Sequence, residues 1–365
     1  MPFASVKDMR REARRRLPRA VFDFFAGGAD DEVTLRDNAR AFQRWALLPR
    51  ILRPCPSRHL GVSLWKNDAP LAMPIVAAPT AFHRLAHPEG ELGTARALAQ
   101  ADALFIVSMA STVALEDIAA AAHGAAKSGH ARLWFQLYVQ PDRAFTARLI
   151  RRAEAAGFEA LVITVDSPVF GRRDRDWRNG FFDLPAGLSC ETLREPQGDG
   201  QLGPPRPIAF SAAFSWSIVD EVRKMTSLPI VLKGILHPAD ALLALEHEVS
   251  AIYISNHGGR QLDGAPATLD VLPAIARVVA GRLPILVDGG VRRGTDVLKA
   301  LALGANAVGV GRSLLWGLAT EGPDGVARVL AMLRDELDRA LAMCGCSSLD
   351  EVSPALVGPR REPLK

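Results

Sequence analysis

Cysteine is scarce: Cys55, Cys190, Cys344 and Cys346 are the only four in 365 residues. They are too scattered for a disulfide framework, and Cys344-Gly-Cys346 has no second ligand pair at zinc-site spacing. Reduced thiols and no metal centre are expected. Long apolar runs are missing too. None approaches the ~20 residues that span a bilayer, the basic start is not followed by an apolar signal core, and Glu362-Pro363-Leu364-Lys365 is no obvious address. These absences point to a cytoplasmic protein with no membrane partner. No low-complexity tract or long single-sign run occurs. The net charge of +4 and the cluster Arg10, Arg11, Arg14, Arg15, Arg16, Arg19 raise nucleic acid as a partner. The cluster is short, lacks interleaved aromatics and is followed by Asp30, Asp31 and Glu32, so it reads as a solvated helix face and no nucleic-acid binding is expected.

What is present is a core and a catalytic vocabulary. A hydrophobic fraction of 48% against 23% charged belongs to a soluble globular chain, long enough for two ordinary domains or one barrel. The run Ser255-Asn256-His257-Gly258-Gly259-Arg260-Gln261-Leu262-Asp263 ends an apolar segment with a proton acceptor, two glycines and a guanidinium. An imidazole takes a proton near neutral pH, a guanidinium clamps a carboxylate bidentately, and glycine admits close approach to the backbone. Alone, the run could equally be a turn with a structural histidine.

The surrounding pattern gives it a setting. Helical periodicity through Val21, Phe22, Phe24 and Phe25, a Gly27-Gly28 stop and Pro49, Pro54 and Pro56 suggest an N-terminal helical cap over 1–70. Eight short apolar runs then alternate with Ala- and Leu-rich amphipathic stretches: 71–78, 104–108, 133–139, 160–165, 229–233, 251–255, 284–288 and 307–311. Strands this continuously apolar are buried on both faces. Eight such βα units predict an α/β fold, a (β/α)8 TIM barrel over 71–345, with a C-terminal tail over 346–365 and one structural domain overall. The polar, Pro/Gly-rich excursion after strand four, 171–212 with Gly198-Asp199-Gly200 and Pro204-Pro205, is either a lid over the barrel mouth or a passive insertion.

In such a barrel the strand ends share one mouth, and here every end is polar: Pro79-Thr80-Ala81, Ser108, Gln136 with Tyr138, Thr164 with Asp166, Lys233, His257 with Arg260, Asp288-Gly289-Gly290 with Arg292, and Gly311-Arg312. The last two groups offer backbone amides, helix N-termini and guanidinium groups, the makings of a phosphate site. No GxGxxG follows the first strand, so a mononucleotide is favoured over a dinucleotide. Ser108, Gln136, Thr164 and Lys233 can hydrogen-bond a flat heterocycle, and a lysine at its electron-poor end suits reduced flavin, although a structural ion pair or a Schiff base would also use a buried lysine. FMN is the economical expectation.

The assembled motifs resemble the FMN-dependent 2-hydroxy acid oxidase and dehydrogenase family, which includes glycolate oxidase, lactate oxidase and mandelate dehydrogenases. Phe22-Asp23-Phe24-Phe25-Ala26-Gly27-Gly28, Ala78-Pro79-Thr80-Ala81, His87-Pro88-Glu89-Gly90-Glu91, Phe135-Gln136-Leu137-Tyr138, Thr164-Val165-Asp166, Gly171-Arg172-Arg173, Leu232-Lys233-Gly234, the His257 run and the Asp288 run carry the resemblance over nearly the whole chain. It implies that Pro79, Thr80, Ala81, Ser108, Gln136, Thr164, Lys233 and Ser255 contact the flavin, and that Asp288, Gly289, Gly290, Arg292, Gly311 and Arg312 hold ribityl and phosphate. It makes His257 the base, Asp166 its charged partner, Arg173 and Arg260 the carboxylate clamp, and Tyr138 a partner of the substrate oxygen. A homotetramer is implied likewise.

Two positions depart from the family pattern. Phe24 stands where the family has a tyrosine that helps bind the carboxylate, either a neutral change or a mark of altered substrate. Ala110 replaces the tryptophan of glycolate-type members, and with Phe82 and Phe170 it suggests a roomy apolar pocket. The expectation is oxidation of a bulky, mandelate-like (S)-2-hydroxy acid to the 2-oxo acid, as in the similar hydroxymandelate oxidases, with oxygen or another electron acceptor. An L-lactate-type enzyme and a flavin barrel of another class, such as an isopentenyl diphosphate isomerase, are the alternatives.

Overall fold

The computed structural model describes residues 3–65, 69–195 and 201–360. Gly198-Asp199-Gly200 and the last five residues of the expected tail lie outside that range. Ten strands occur among the described residues: β1 (Trp45–Leu47), β2 (Ile75–Ala77), β3 (Phe105–Ser108), β4 (Leu133–Leu137), β5 (Ala160–Thr164), β6 (Ile230–Ile235), β7 (Ala251–Ile254), β8 (Ile285–Val287), β9 (Ala307–Val310) and β10 (Val357–Pro359). The eight from β2 to β9 are all parallel, and β2 pairs with β9 to close the barrel.

The unbroken apolar character of these strands follows from the two cores they serve. Val76, Ile106, Trp134, Val162, Val231, Tyr253 and Leu286 point into the barrel, where they pack with Leu64 and Leu71. Their neighbours Ile75, Ala77, Phe105, Val107, Phe135, Leu161, Leu232 and Ile252 point outward against the helices. The first strand is shorter than expected. Leu71 forms an antiparallel bridge with Val62 instead, and together they put apolar side chains beneath the barrel floor.

The cap comprises three helices, α1 (Val6–Arg16), α2 (Arg19–Ala26) and α3 (Val33–Ala41). Ser5 caps α1, its hydroxyl accepting from the Asp8 amide at 3.3 Å. On α1, Arg11, Arg15 and Arg16 pair with Asp8 or Glu12 one turn away, while Arg10 and Arg14 lie over the Phe22 ring. Helical structure ends well before residue 70. The chain continues as β1, which pairs antiparallel with β10, Trp45 opposite Pro359. The stretch expected as a C-terminal tail is therefore docked, with Leu356 and Val357 buried. No helix among the described residues is long and apolar enough to cross a membrane.

Candidate active site

At the C-terminal ends of the strands lies a cavity of about 740 Å³. All but two of the expected site residues line it. The exceptions are Asp166, which sits behind His257, and Ser255, which is fully buried between Lys233 and Asp288 rather than on the cavity wall.

His257 is held by a short polar chain. Directly after β7 the backbone turns sharply, and His257 takes φ +58°, a left-handed conformation that an L side chain adopts only when its surroundings impose it. The ring's Nδ1 lies 3.0 Å from Asp166 Oδ1 and its Nε2 3.3 Å from the Tyr138 hydroxyl. Burial raises the Asp166 carboxyl, but His257 and Lys233 outweigh it and hold the group below the usual carboxylate range. An ionised Asp166 accepts from Nδ1–H, so the Nε2 lone pair faces the cavity. Burial and the Asp166 charge push the Tyr138 phenol well above its ordinary pKa, so it remains a donor.

Two guanidinium groups line the cavity with His257. Arg260 donates to the carbonyls of Phe24 at 2.6 Å and Gly27 at 3.2 Å, at the negative end of α2. Burial, with Arg173 and Arg312 close by, lowers its pKa strongly. Arg173 Nε lies 2.7 Å from Asp176 Oδ2, a buried carboxylate on the short helix Asp174–Arg178. Both guanidinium groups lie over the Phe24 ring, their carbons 5.0 Å (Arg260) and 5.6 Å (Arg173) from its centroid. The position that lacks the tyrosine hydroxyl thus contacts both arginines through its ring.

A second set of side chains forms a cradle. Ser108 Oγ donates to Gln136 Oε1 and Gln136 Nε2 to Thr164 Oγ1, both at 3.0 Å, across three adjacent strands. Lys233, 3% exposed, donates to Ser255 Oγ at 2.9 Å, and Ser255 donates in turn to Asp288 Oδ1 at 2.8 Å. Thr80 meets the buried ring of His83 at 2.7 Å. At the phosphate end Arg312 is fixed by the carbonyls of Phe25, Gly258 and Gly27, which engage three of its five N–H groups. Burial and nearby Arg292 hold its pKa down to about 9. Neither guanidinium has an ion-pair partner among the described residues, a cationic end that suits a phosphate. Cavity size, hydrogen-bonding strip, buried lysine and cationic end together fit FMN.

Two of the glycines also serve packing. A Cβ on Gly290 would lie 2.2 Å from the Asn38 carbonyl oxygen, and one on Gly259 would lie 2.6 Å from the Leu35 amide, so both make room for α3. Sequence reasoning also missed much of the pocket wall. Phe181, Leu184, Cys190, Ile208 and Phe210, all from the excursion after β5, line the cavity and make that excursion part of the site. Asp176 was missed although its i, i+3 spacing from Arg173 was visible. The aromatic positions carried no periodic signal.

A family model described as FMN-dependent dehydrogenase matches residues 13–359. The 2-hydroxyacid oxidase of Dictyostelium discoideum is 41% identical over 100% of this chain and 92% of its own length. The L-lactate oxidase of a Nostoc species is 44% identical over 94% of this chain and 95% of its own. A crystal structure of mandelate oxidase with 3,3-difluoro-2-hydroxy-3-phenylpropionic acid superposes with a TM-score of 0.88 at 41% identity, covering 99% of this chain and 100% of that one. With its motifs, barrel and cavity in agreement, the chain belongs to the FMN-dependent dehydrogenase family.

Proposed function

We propose that this protein oxidises (S)-2-hydroxy acids carrying a bulky, aryl-type side chain to the corresponding 2-oxo acids, and that oxygen accepts the electrons. The observation that carries the substrate class is the wall of the cavity beside His257. It is formed by Phe24, Phe82, Phe170, Phe181, Phe210 and Ile208, with Ala110 leaving space in their midst. The relatives named as oxidases of 2-hydroxy acids, L-lactate and mandelate support the reaction.

In this reading Arg173 and Arg260 take the substrate carboxylate, which supplies the negative charge that the buried Arg260 lacks. Tyr138 donates to the substrate oxygen, and His257 Nε2 receives a proton as C2 is oxidised. Asp166 holds the imidazole in the required tautomer and stabilises the imidazolium. Bound in the cradle, FMN supplies the two-electron acceptor. Lys233 places a positive charge where the reduced cofactor gains negative charge.

The test is anaerobic bleaching of the holoenzyme by single acids, followed by admission of oxygen. (S)-Mandelate is expected to reduce the flavin faster than L-lactate or glycolate, and oxygen to restore the yellow colour within the turnover time. A reversed order would favour the L-lactate reading, and no bleaching by any acid would overturn dehydrogenation altogether. The Phe24 position gives a second measurement. Phe24→Tyr keeps the ring against the arginines and adds a donor toward the carboxylate, a charge-assisted bond worth about 1.5–3 kcal/mol at best. KM for small hydroxy acids should fall by at most about 10- to 100-fold, with kcat little changed; an unaltered KM would show the missing hydroxyl to be neutral.

A further inference from the structure

We infer that Asn38, on α3 and outside the cavity wall, is a positioning residue that holds the base-bearing turn after β7 and the cofactor-facing turn after β8 in one fixed relation. Asn38 and Asn256 are 2% and 3% exposed and form a reciprocal amide pair. Asn38 Nδ2 donates to Asn256 Oδ1 at 2.9 Å, and Asn256 Nδ2 donates to Asn38 Oδ1 at 2.8 Å.

The surrounding groups leave neither amide free to flip. The Gly259 amide donates to Asn256 Oδ1 at 3.1 Å, Asn256 Nδ2 donates to the Pro266 carbonyl at 3.0 Å, and the Thr268 amide donates to Asn38 Oδ1 at 3.4 Å. Reversing either side chain would set donor against donor and acceptor against acceptor in a buried site.

Asn256 immediately precedes His257, so the pair fastens the strained left-handed turn from which the base projects. The other face of Asn38 seats the second turn. A Cβ on Gly289 would fall 3.1 Å from Asn38 Oδ1, and one on Gly290 would meet the Asn38 backbone oxygen. Thr268, bonded to Asn38 through its amide, also donates its hydroxyl to the Asp288 carbonyl. One residue of the cap thus contacts both turns, while Asp263 secures α3 independently by accepting from the amides of Val33 at 3.1 Å and Thr34 at 2.8 Å. A proton acceptor and a cofactor carried on different strand ends need a common reference to stay within reacting geometry, and Asn38 is that reference.

The inference rests on His257 as base and on the cradle as the FMN site, and the experiment separates failure of either. Asn38→Ala and Asp263→Asn are compared for melting temperature, for FMN affinity of the apoprotein by fluorescence quenching, and for the anaerobic flavin reduction rate at saturating substrate. Asn38→Ala is expected to weaken FMN binding and slow reduction, each about tenfold. Asp263→Asn should lower the melting temperature while changing both by less than about twofold. Adding Asn38→Ala to Asn256→Ala should cost less in reduction rate than Asn38→Ala costs alone, because the two substitutions share the reciprocal pair while Asn256 also holds the Gly259 amide and the Pro266 carbonyl.

Equal losses in Asp263→Asn, or an Asn38→Ala protein that is less stable yet normal in affinity and rate, would overturn positioning. Asn38→Asp keeps the shape and removes the donor to Asn256; the same outcomes apply to it if the alanine variant does not fold. Wild-type flavin that no hydroxy acid bleaches would count against the base and cofactor reading instead.

Discussion

Replacing His257 by Gln is expected to leave a yellow protein that a 2-hydroxy acid no longer bleaches at a useful rate. Glutamine approximates the imidazole's reach but cannot take a proton, and a positioned general base contributes about 10²–10⁴-fold. Flavin reduction should fall by that factor while FMN affinity stays near the wild-type value, because the Ser108–Gln136–Thr164 strip, Lys233 and Arg312 are untouched. Substrate affinity should also change little, since the two arginines bind independently of Nε2. Stopped-flow reduction and flavin fluorescence measure the two quantities separately. Reduction at the wild-type rate would remove His257 from the mechanism. A loss of flavin together with activity would make its role structural, that of a residue fixing the turn at φ +58°.

Much of this site was legible in the sequence because barrel topology converts strand ends into neighbours. The run from Ser255 to Asp263 showed a base and a guanidinium, and the other seven strand ends supplied partners once eight apolar runs implied closure. His257, Tyr138, Arg173 and Arg260 accordingly line one cavity, with Asp166 bonded to His257 from behind. The run's glycines signalled close approach to the backbone or a turn, and Asn256 and Asp263 carried no assignment. Asn256, Gly259 and Asp263 all engage α3, a contact between residues more than two hundred positions apart that no local pattern announces.

Other parts were hidden for related reasons. Ser255 bears a hydroxyl at a strand end, yet the β7 pleat turns it under the wall, and only the strand's facing could have distinguished a flavin contact from a bridge between Lys233 and Asp288. The excursion after β5 has too little regular structure for periodicity to show that Phe181 and Phe210 turn inward. The end of the chain resembled a loose tail because a three-residue strand such as β10 gives no signal until β1 lies beside it.

Arg260→Lys is expected to lower kcat/KM about 10- to 100-fold and to move the alkaline limb of the KM profile toward lower pH. Burial first, then the adjacent charges of Arg173 and Arg312, pull the Arg260 pKa down in the free enzyme. A bound carboxylate favours the charged form and raises it again. Binding is therefore linked to proton uptake wherever the free group has begun to deprotonate: KM is flat below the free-enzyme pKa and rises as pH passes through it. Lysine starts from an ordinary pKa about two units below arginine's and enters the same desolvated site, so its limb must lie at lower pH. The fork that serves the carboxylate and the α2 carbonyls at once is lost as well, which accounts for the fall in kcat/KM at neutral pH. Steady-state profiles of both proteins between pH 6 and pH ~10 test the shift, which spans the lysine range. An unmoved limb would show that Arg260 does not carry the substrate's charge, leaving Arg173 as the whole clamp; a limb moved in the predicted direction with intact flavin binding would place the carboxylate on Arg260, beside the base that the same turn carries.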